Sequence, residues 1–411
     1  MNYELFIAKR IIAGKKYKNS ISAPIIKIAI TAIALGLIIM LIAVATGAGL
    51  QNKIRDKMSG FKGHVQIINY DNNNSDVSTV PIKKEQDFYP KFKTIEGIKN
   101  IQVFANKAGI LRTENDFEGI IFKGVSTDYD WSFFKTYLVK GKLPDFNKDR
   151  TKEVLLSSTL MNRLQLKLND TILATFVKNA QSKLPSNRKY IVAGVYNTGF
   201  LQFDKNIMIG DIREVQRLNK WNENEVGGFE VLLDNFDEMQ QKGDEIYNAI
   251  PSTLYSKTIV ESYLNIFEWI ELFDNNVWFI IAIMIVIAGI NMITALLVLI
   301  LERVQLVGTL KVLGSYNSSI RKVFLYNAAY LILKGLFWGN LIGLTIIGVQ
   351  HYFKVITLDP ETYYVTTMPV YLSVTNVILL NIGTLILCVL MLIIPSYVIT
   401  KIQPAKSIKF A

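Results

Sequence analysis

Residues 28–50 read IAITAIALGLIIMLIAVATGAGL, 23 positions without a charged side chain. As a helix the stretch is about 35 Å long at 1.5 Å per residue, more than the ~30 Å hydrocarbon core of a bilayer. A cleavable signal would show a shorter apolar core of about 7–15 residues and a small-residue cleavage site, so this run reads as an anchor that stays. Three more runs follow. Residues 275–301 carry no charge over 27 positions, 323–350 carry only Lys334, and 370–400 are uncharged and contain Pro395. Apolar runs of this length separate membrane spans from buried core helices. The 411-residue chain, 50% hydrophobic, therefore has the expected fold class of an α-helical membrane protein with four transmembrane helices and a large extracytoplasmic α+β domain inserted between the first and second.

The short segments between the runs set the orientation. Lys9, Arg10, Lys15, Lys16, Lys18 and Lys27 precede the first run, Arg303, Lys311, Arg321 and Lys322 follow the second, and Lys401, Lys406 and Lys409 end the chain. The 351–369 segment has Lys354 as its one Lys or Arg. Basic side chains resist translocation, so both termini and the 302–322 segment are expected in the cytoplasm. The layout predicted is a cytoplasmic lead 1–27, span one 28–50, an outer domain 51–270, span two 275–301, a cytoplasmic loop 302–320, span three 323–350, an outer loop 351–369, span four 370–400 and a cytoplasmic tail 401–411. Residues 51–270 hold 30 Lys plus Arg against 28 Asp plus Glu, so only +2 of the net +11 is external. The basic excess is a topology signal, with an attraction to anionic headgroups of about 1 kcal/mol per residue near the surface. It does not point to nucleic acid.

The single cysteine, Cys388, lies in the fourth run, so no disulfide within the chain braces the outer domain. His64 and His351 have no Cys or acidic cluster at ligand spacing, and no metal site is expected. No G-x-x-x-x-G-K-[ST], G-x-S-x-G or H-E-x-x-H occurs. No catalytic, cofactor-binding or metal-binding residue is assigned, and any nucleotide chemistry must come from another polypeptide.

The outer domain alternates strand-like runs, at 64–70, 119–125, 153–157, 171–177, 190–196, 206–210 and 229–234, with helical patterns at 85–97, 211–221, 236–250 and 257–272. A membrane-proximal α/β part drawn from both ends and a β-rich insertion of roughly 100–205 are expected. The loop DNNNSD, 71–76, reads as solvated.

Residues 301–315, LERVQLVGTLKVLGS, are half charged yet helically spaced. Leu306, Val307, Leu310 and Leu313 share one face, Gly314 supplies a stop, and Ser315 or Asn317 can cap the next helix. The pattern alone fits an amphipathic connector on the inner leaflet or a coupling helix that passes a partner's movement to both attached spans. In span three, Gly335, Gly339 and Gly343 place small residues on one face, which predicts close packing against another span. Lys334 costs about 2.5–3.5 kcal/mol at mid-bilayer on insertion scales and lies about 20 Å along the helix from Arg321. An inter-subunit polar contact and a later start of the span both account for it.

The longer stretch LERVQLVGTLKVLGSYNSSIRKVFL is similar to the segment between the second and third spans of FtsX-like and MacB-like permeases. Glu302, Arg303, Gly308, Leu310, Lys311, Leu313, Gly314, Ile320 and Phe324 match that pattern of an acidic–basic pair, an apolar-Gly step, Leu-Lys-x-Leu-Gly and Ile-x-x-x-Phe. Three stretches narrow the resemblance to the lipoprotein-releasing (Lol) permeases: the basic lead FIAKRIIAGKKYKNSIS, the tail PSYVITKIQPAKSIKF with Pro395, Ser396, Pro404, Ser407 and Ile408, and KLPSNRKYIVAGVYNTGFLQFDKNIMI with Gly194, Val195, Tyr196, Thr198, Gly199 and Asp204. The outer domain then resembles a MacB-like periplasmic core domain.

The resemblance implies a type VII ABC system of the bacterial inner membrane, with two permeases, identical or paralogous, and a cytoplasmic ATPase dimer that holds ATP and Mg. The chain itself is then no enzyme and binds no cofactor. It would take acylated lipoproteins from the outer leaflet and hand them to a periplasmic carrier. Each buried CH₂ holds a lipid chain in the bilayer by about 0.8 kcal/mol, so extraction needs work. Glu302, Arg303, Gly308, Leu310, Lys311, Leu313 and Gly314 would couple to the ATPase. Ile38, Leu41, Ile42, Ala45, Val277, Phe279 and Ile280 would line an apolar cavity for the acyl chains. The loop 176–189, with Lys183, Leu184, Pro185 and Arg188, would dock the carrier, although it is several residues shorter than the family's docking loop and reads equally as a plain hairpin. A MacB-like efflux permease and an FtsX-like regulator of wall hydrolases share the span layout. The first usually carries its ATPase ahead of span one, where only 27 residues stand here, and the second has a smaller outer domain. A receptor or scaffold without an ATPase is the remaining alternative.

Overall fold

The computed structural model describes residues 3–13, 23–72, 75–114, 116–147, 150–176 and 185–402. In chain order the elements begin with α1 (Tyr3–Ala13), α2 (Ala23–Lys62), β1 (Val65–Asn69), β2 (Ile82–Lys83), β3 (Ile98–Arg112), β4 (Phe117–Val125), α3 (Ser132–Tyr137) and β5 (Leu138–Gly141). Then come β6 (Glu153–Ser157), α4 (Ser158–Arg163), β7 (Thr171–Phe176), β8 (Ser186–Tyr196), α5 (Leu201–Asp204), β9 (Ile207–Asp211), α6 (Ile212–Asn219), β10 (Glu225–Val226) and β11 (Gly228–Leu233). The last are α7 (Met239–Ala249), β12 (Leu254–Thr258), α8 (Ile259–Ser262), α9 (Leu264–Glu302), α10 (Val304–Val312), α11 (Asn317–Phe353), α12 (Pro360–Tyr363), α13 (Val374–Ser396) and α14 (Val398–Lys401). Two compact units divide the chain. One holds the residues up to Leu50, Trp269–Ile356 and those from Met368; the other holds Gln51–Glu268 and Thr357–Thr367.

The helical unit draws on α2, α9, α11 and α13 with α14, which are long and apolar enough to cross a membrane. Leu37, Met40, Leu41, Met292, Leu296, Ile300, Phe324, Ile332 and Leu392 form its closed interior. One polar feature crosses it. Asn340 and Asn381 exchange side-chain hydrogen bonds of 2.6 and 3.0 Å between α11 and α13, so each amide answers the other where water is absent. Ser373 caps α13 by accepting the Asn376 N–H at 3.2 Å.

The second unit is built on a ten-stranded sheet in the order β12-β1-β11-β3-β4-β9-β6-β8-β5, with β7 paired to β3 and β8. The pairs β4–β9 and β6–β8 are parallel, and the other ladders are antiparallel. The long strand β3 joins the halves, pairing with β11 through Ile98–Phe104 and with β4 through Phe104–Arg112. Strands from the 100–205 segment thus share one hydrogen-bonded path with β1, β11 and β12. An aromatic cluster of Phe61, Phe133, Phe134, Tyr196 and Phe203 packs the end of α2 into this unit.

Some expectations need correction. The helical pattern at 85–97 is a folded loop: Pro90 cannot continue a helix, and Phe88, Phe92 and Ile95, whose spacing mimics a helical stripe, are buried, with Phe88 against Phe229 at 5.1 Å. Strands β2, β3, β5, β10 and β12 were not anticipated. Neither Ser315 nor Asn317 caps α11; its N-cap is Tyr316, without a side-chain hydrogen bond.

Candidate functional site

The segment between α9 and α11 is a short helix closed by a glycine. Gly314 has φ +87°, and its N–H reaches Lys311 O at 3.1 Å while the Ser315 N–H reaches Leu310 O at 2.9 Å. This is a Schellman end, which a left-handed residue makes possible. Val307, Gly308 and Leu310 are buried, and the two apolar side chains join Ile320, Phe324 and Ile399 in the helical core. Leu313 departs from the expected face: it lies beyond the last helical turn and is 75% exposed, beside Val312 at 64% and Tyr316 at 80%. These three make an outward apolar tip.

Two basic residues tie the segment to the end of α13 and α14. Lys311 Nζ donates to Ile399 O at 2.9 Å and Ile402 O at 2.8 Å. Lys311, expected at a partner surface, is therefore committed to the carbonyls that a helix C-terminus leaves open. The Arg321 guanidinium stacks 3.6 Å above the Tyr397 ring, and its Nε donates to Ser396 Oγ at 3.0 Å. On the other flank Ser319 Oγ donates to Glu4 at 3.0 Å, and the Tyr3 and Ser315 hydroxyls lie 3.2 Å apart. Helices α1, α11 and α14 thus converge around α10 and the turn that follows it. Glu302 is exposed and Arg303 half-buried at its start.

Gly335, Gly339 and Gly343 face α2. A Cβ at these positions would lie 2.7 Å from Ile33 Cγ2, 3.0 Å from Ala34 O and 3.0 Å from Leu41 Cδ1, respectively. Leu41 and Ala45, expected to line a cavity, are instead wholly buried, and Leu41 fills this glycine face. Val277 packs on Gly47, whose Cβ would meet Val277 Cγ2 at 3.0 Å. Ile38, Ile42 and Ile280 are half-buried. Phe279 is open, on an outward apolar face of α9 with Ile283, Val286, Ile287 and Ile290. Their spacing of three and four residues was the available signal for that face.

In the sheet unit a polar cluster is enclosed. Lys123 Nζ, 3% exposed, donates to Glu230 Oε1 at 2.7 Å and Oε2 at 2.8 Å, and also to the Phe61 carbonyl in the last turn of α2. Gln66 and Gln102 donate to the same carboxylate at 3.2 and 3.0 Å. Asp204 forms a second node. Its carboxylate accepts from Thr198 Oγ1 at 2.7 Å, Thr198 N at 3.1 Å and Gly199 N at 3.0 Å. Burial pushes its carboxyl up to about 6, against these hydrogen bonds and the nearby Lys57, which favour the charged form. Residues 357–367 sit against this node: Lys57 Nζ donates to Tyr364 O at 3.1 Å, the Phe200 and Tyr364 rings are 5.3 Å apart, and Lys205 pairs with Glu361 at 3.3 Å.

Residues 28–248 match the MacB-like periplasmic core domain and residues 278–404 the FtsX-like permease C-terminal domain. The lipoprotein-releasing system transmembrane protein LolE of Haemophilus influenzae is 20% identical over 99% of both chains, and LolC of Neisseria meningitidis serogroup B 21% over 99% of both. The chain belongs to the MacB-like and FtsX-like permeases, and is of the LolC/LolE type. The crystallised periplasmic region of MacB from Actinobacillus actinomycetemcomitans is 13% identical, covering 49% of this chain and 91% of that one, with a TM-score of 0.34. In this Lol-type permease α10 lies inside the FtsX-like match. Of the expected carrier-docking residues, Lys183 and Leu184 lie outside the described residues, as does most of the 176–189 loop. Pro185 is exposed, and Arg188 is not in a loop: it belongs to β8, opposite Ala174 of β7.

Proposed function

We propose that this permease is the membrane subunit of an ATP-driven lipoprotein-releasing complex. It would extract acylated lipoproteins from the inner membrane and pass them to a periplasmic carrier, with ATP and Mg held by a separate cytoplasmic ATPase dimer and a second permease, identical or paralogous, completing the complex. The observation that carries the reading is end-to-end similarity to proteins named for lipoprotein release. The charge distribution supports cytoplasmic termini, a cytoplasmic α10 and a periplasmic sheet unit. The α10 geometry supports coupling. Val312, Leu313 and Tyr316 give a partner an apolar tip to grip, while Val307, Leu310, Lys311 and Arg321 hold the segment and the start of α11 against the end of α13 and α14. A push on the tip is then transmitted as a rigid displacement. The open face of α9 around Phe279 and Ile283 supports a surface for acyl chains.

The test pairs depletion with a surface variant. Depletion of the protein should leave outer-membrane lipoproteins in the inner membrane, and normal sorting would sink the release reading. V312D/L313D should lose the co-purifying ATPase while its thermal midpoint in detergent stays at the wild-type value. Undiminished capture of the ATPase by that variant would remove the role given to the tip.

A further inference from the structure

A groove of about 580 Å³ opens on the side of the helical unit between α2 and α11, lined by Ile30, Tyr330, Leu333, Lys334, Phe337 and Trp338. Its one charge is Lys334, whose Nζ lies 4.7 Å above the Tyr330 ring. Among the described residues no carboxylate is within ion-pair distance of Lys334. Helix packing fixes its depth. Gly335, the next residue, rests on Ile33 and the Ile30 carbonyl, and Ile30 is the third residue of the charge-free run 28–50. Lys334 is therefore level with the start of that run, not with its middle. Lys27 stands one turn before Ile30 on the same side of α2 and is exposed. Trp and Tyr prefer this level, where an amphipathic ring spans the boundary between headgroups and hydrocarbon.

We propose that this groove holds an anionic phospholipid of the leaflet facing the chain's basic segments, its phosphate on Lys334 and its upper acyl chain on Leu333 and Phe337. The ammonium supplies the charge that a phosphate needs, and the Tyr330 and Trp338 rings supply the interfacial walls. Ile30, Leu333 and Phe337 make the rest of the lining apolar, which suits an amphiphile better than a free anion. The site is separate from the cargo surface of the proposed function, because by the charge distribution it faces the cytoplasmic leaflet, whereas the cargo is taken from the opposite one.

The experiment is native mass spectrometry of the delipidated full-length chain in mild detergent, offered phosphatidylglycerol or phosphatidylcholine. The wild type should retain phosphatidylglycerol about fivefold over phosphatidylcholine, the ratio that one lysine's attraction to an anionic surface corresponds to. K334Q should lose that preference, and K334R should keep it. Equal retention of the two lipids by the wild type, a comparison that stands even if K334Q does not fold, would overturn the proposal. So would a K334Q chain with wild-type preference. A K334Q variant that changes the number of chains per particle without lipid would instead assign Lys334 to an acidic partner on a second copy, and the lipid site would be rejected.

Discussion

Lys123 and Glu230 carry opposite charges into a nearly dry interior, where neither is tolerable alone. A buried pair contributes little against apolar residues of the same shape, but removing one partner leaves an uncompensated charge that costs about 3–5 kcal/mol. K123M should therefore lower the denaturation midpoint of the full-length chain in detergent by that order. K123M/E230Q should recover most of the loss, since Gln at 230 still accepts from Gln102. A double variant as unstable as the single one would show that the loss comes from packing. Asp204 gives a pH dependence of the other sign from an ordinary salt-bridged carboxylate. Its folded-state pKa, about 6, is raised above the ordinary Asp value of 3.8, so its contribution is fully present below about 4 and is lost as pH rises through 6. His64 works against it. Burial first, and then the Lys99 charge, lower its imidazole to about 4, while its Nδ1 accepts the Leu233 N–H at 3.1 Å. That contribution is present above 6.5 and lost as pH falls. The two slopes oppose, so the readout is the difference between D204N and wild type: relative stability should shift in favour of D204N between pH 4 and 6 and stay level above 7. A flat difference across that window would contradict a raised Asp204.

At the scale of elements, the α2–α11 contact is set by glycine. G335V puts a branched side chain where even a Cβ would be 2.7 Å from Ile33 Cγ2, and overpacking of this kind costs about 1–3 kcal/mol. G348A on the same helix meets nothing within 4 Å. The first variant should melt earlier in detergent and the second at the wild-type temperature; equal effects would mean that the glycines serve helix flexibility and not the contact. These elements differ in how far the sequence discloses them. The four apolar helices are legible because lipid permits no charge, and the end of α10 because Gly314 is the residue that takes a left-handed turn at no cost. Strand β3 is not legible: its buried stretch carries Gln102, Asn106 and Lys107, polar on both faces, which look solvent-facing until the Glu230 carboxylate, the Asp76 carbonyl and the Asn219 side chain are seen to bind them. The loop at 85–97 fails for the opposite reason, since three buried apolar side chains at near-helical spacing pack without a helix. At the candidate site, the position of α10 is legible but the roles within it are not. Lys311 pairs with carbonyls some ninety positions away, and Leu313 turns outward because the helix stops one residue earlier.

Across the whole molecule the chain leaves the helical unit and returns to it twice, through 51–268 and through 357–367. The second excursion is short, and it contributes no strand to the ten-stranded sheet. It is held instead at one node: the Lys57 ammonium on the Tyr364 carbonyl, the Phe200 ring on Tyr364, and Gly199 against Thr366. In the chain 357–367 lies between α11 and α13, so this node is where the connection between those two helices is anchored. Gly199 is where the segment approaches most closely. Its φ of +66° disfavours any side chain, and a Cβ there would lie 2.8 Å from Thr366 Cγ2. G199V should detach the segment while leaving α10 and its tip untouched. With the proposed ATPase in proteoliposomes, nucleotide hydrolysis should stay within about twofold of wild type while lipoprotein release falls about tenfold, a loss within the ordinary range of coupling energies between sites. Hydrolysis and release falling together would place the defect in folding or assembly, and unchanged release would mean that 357–367 carries no load.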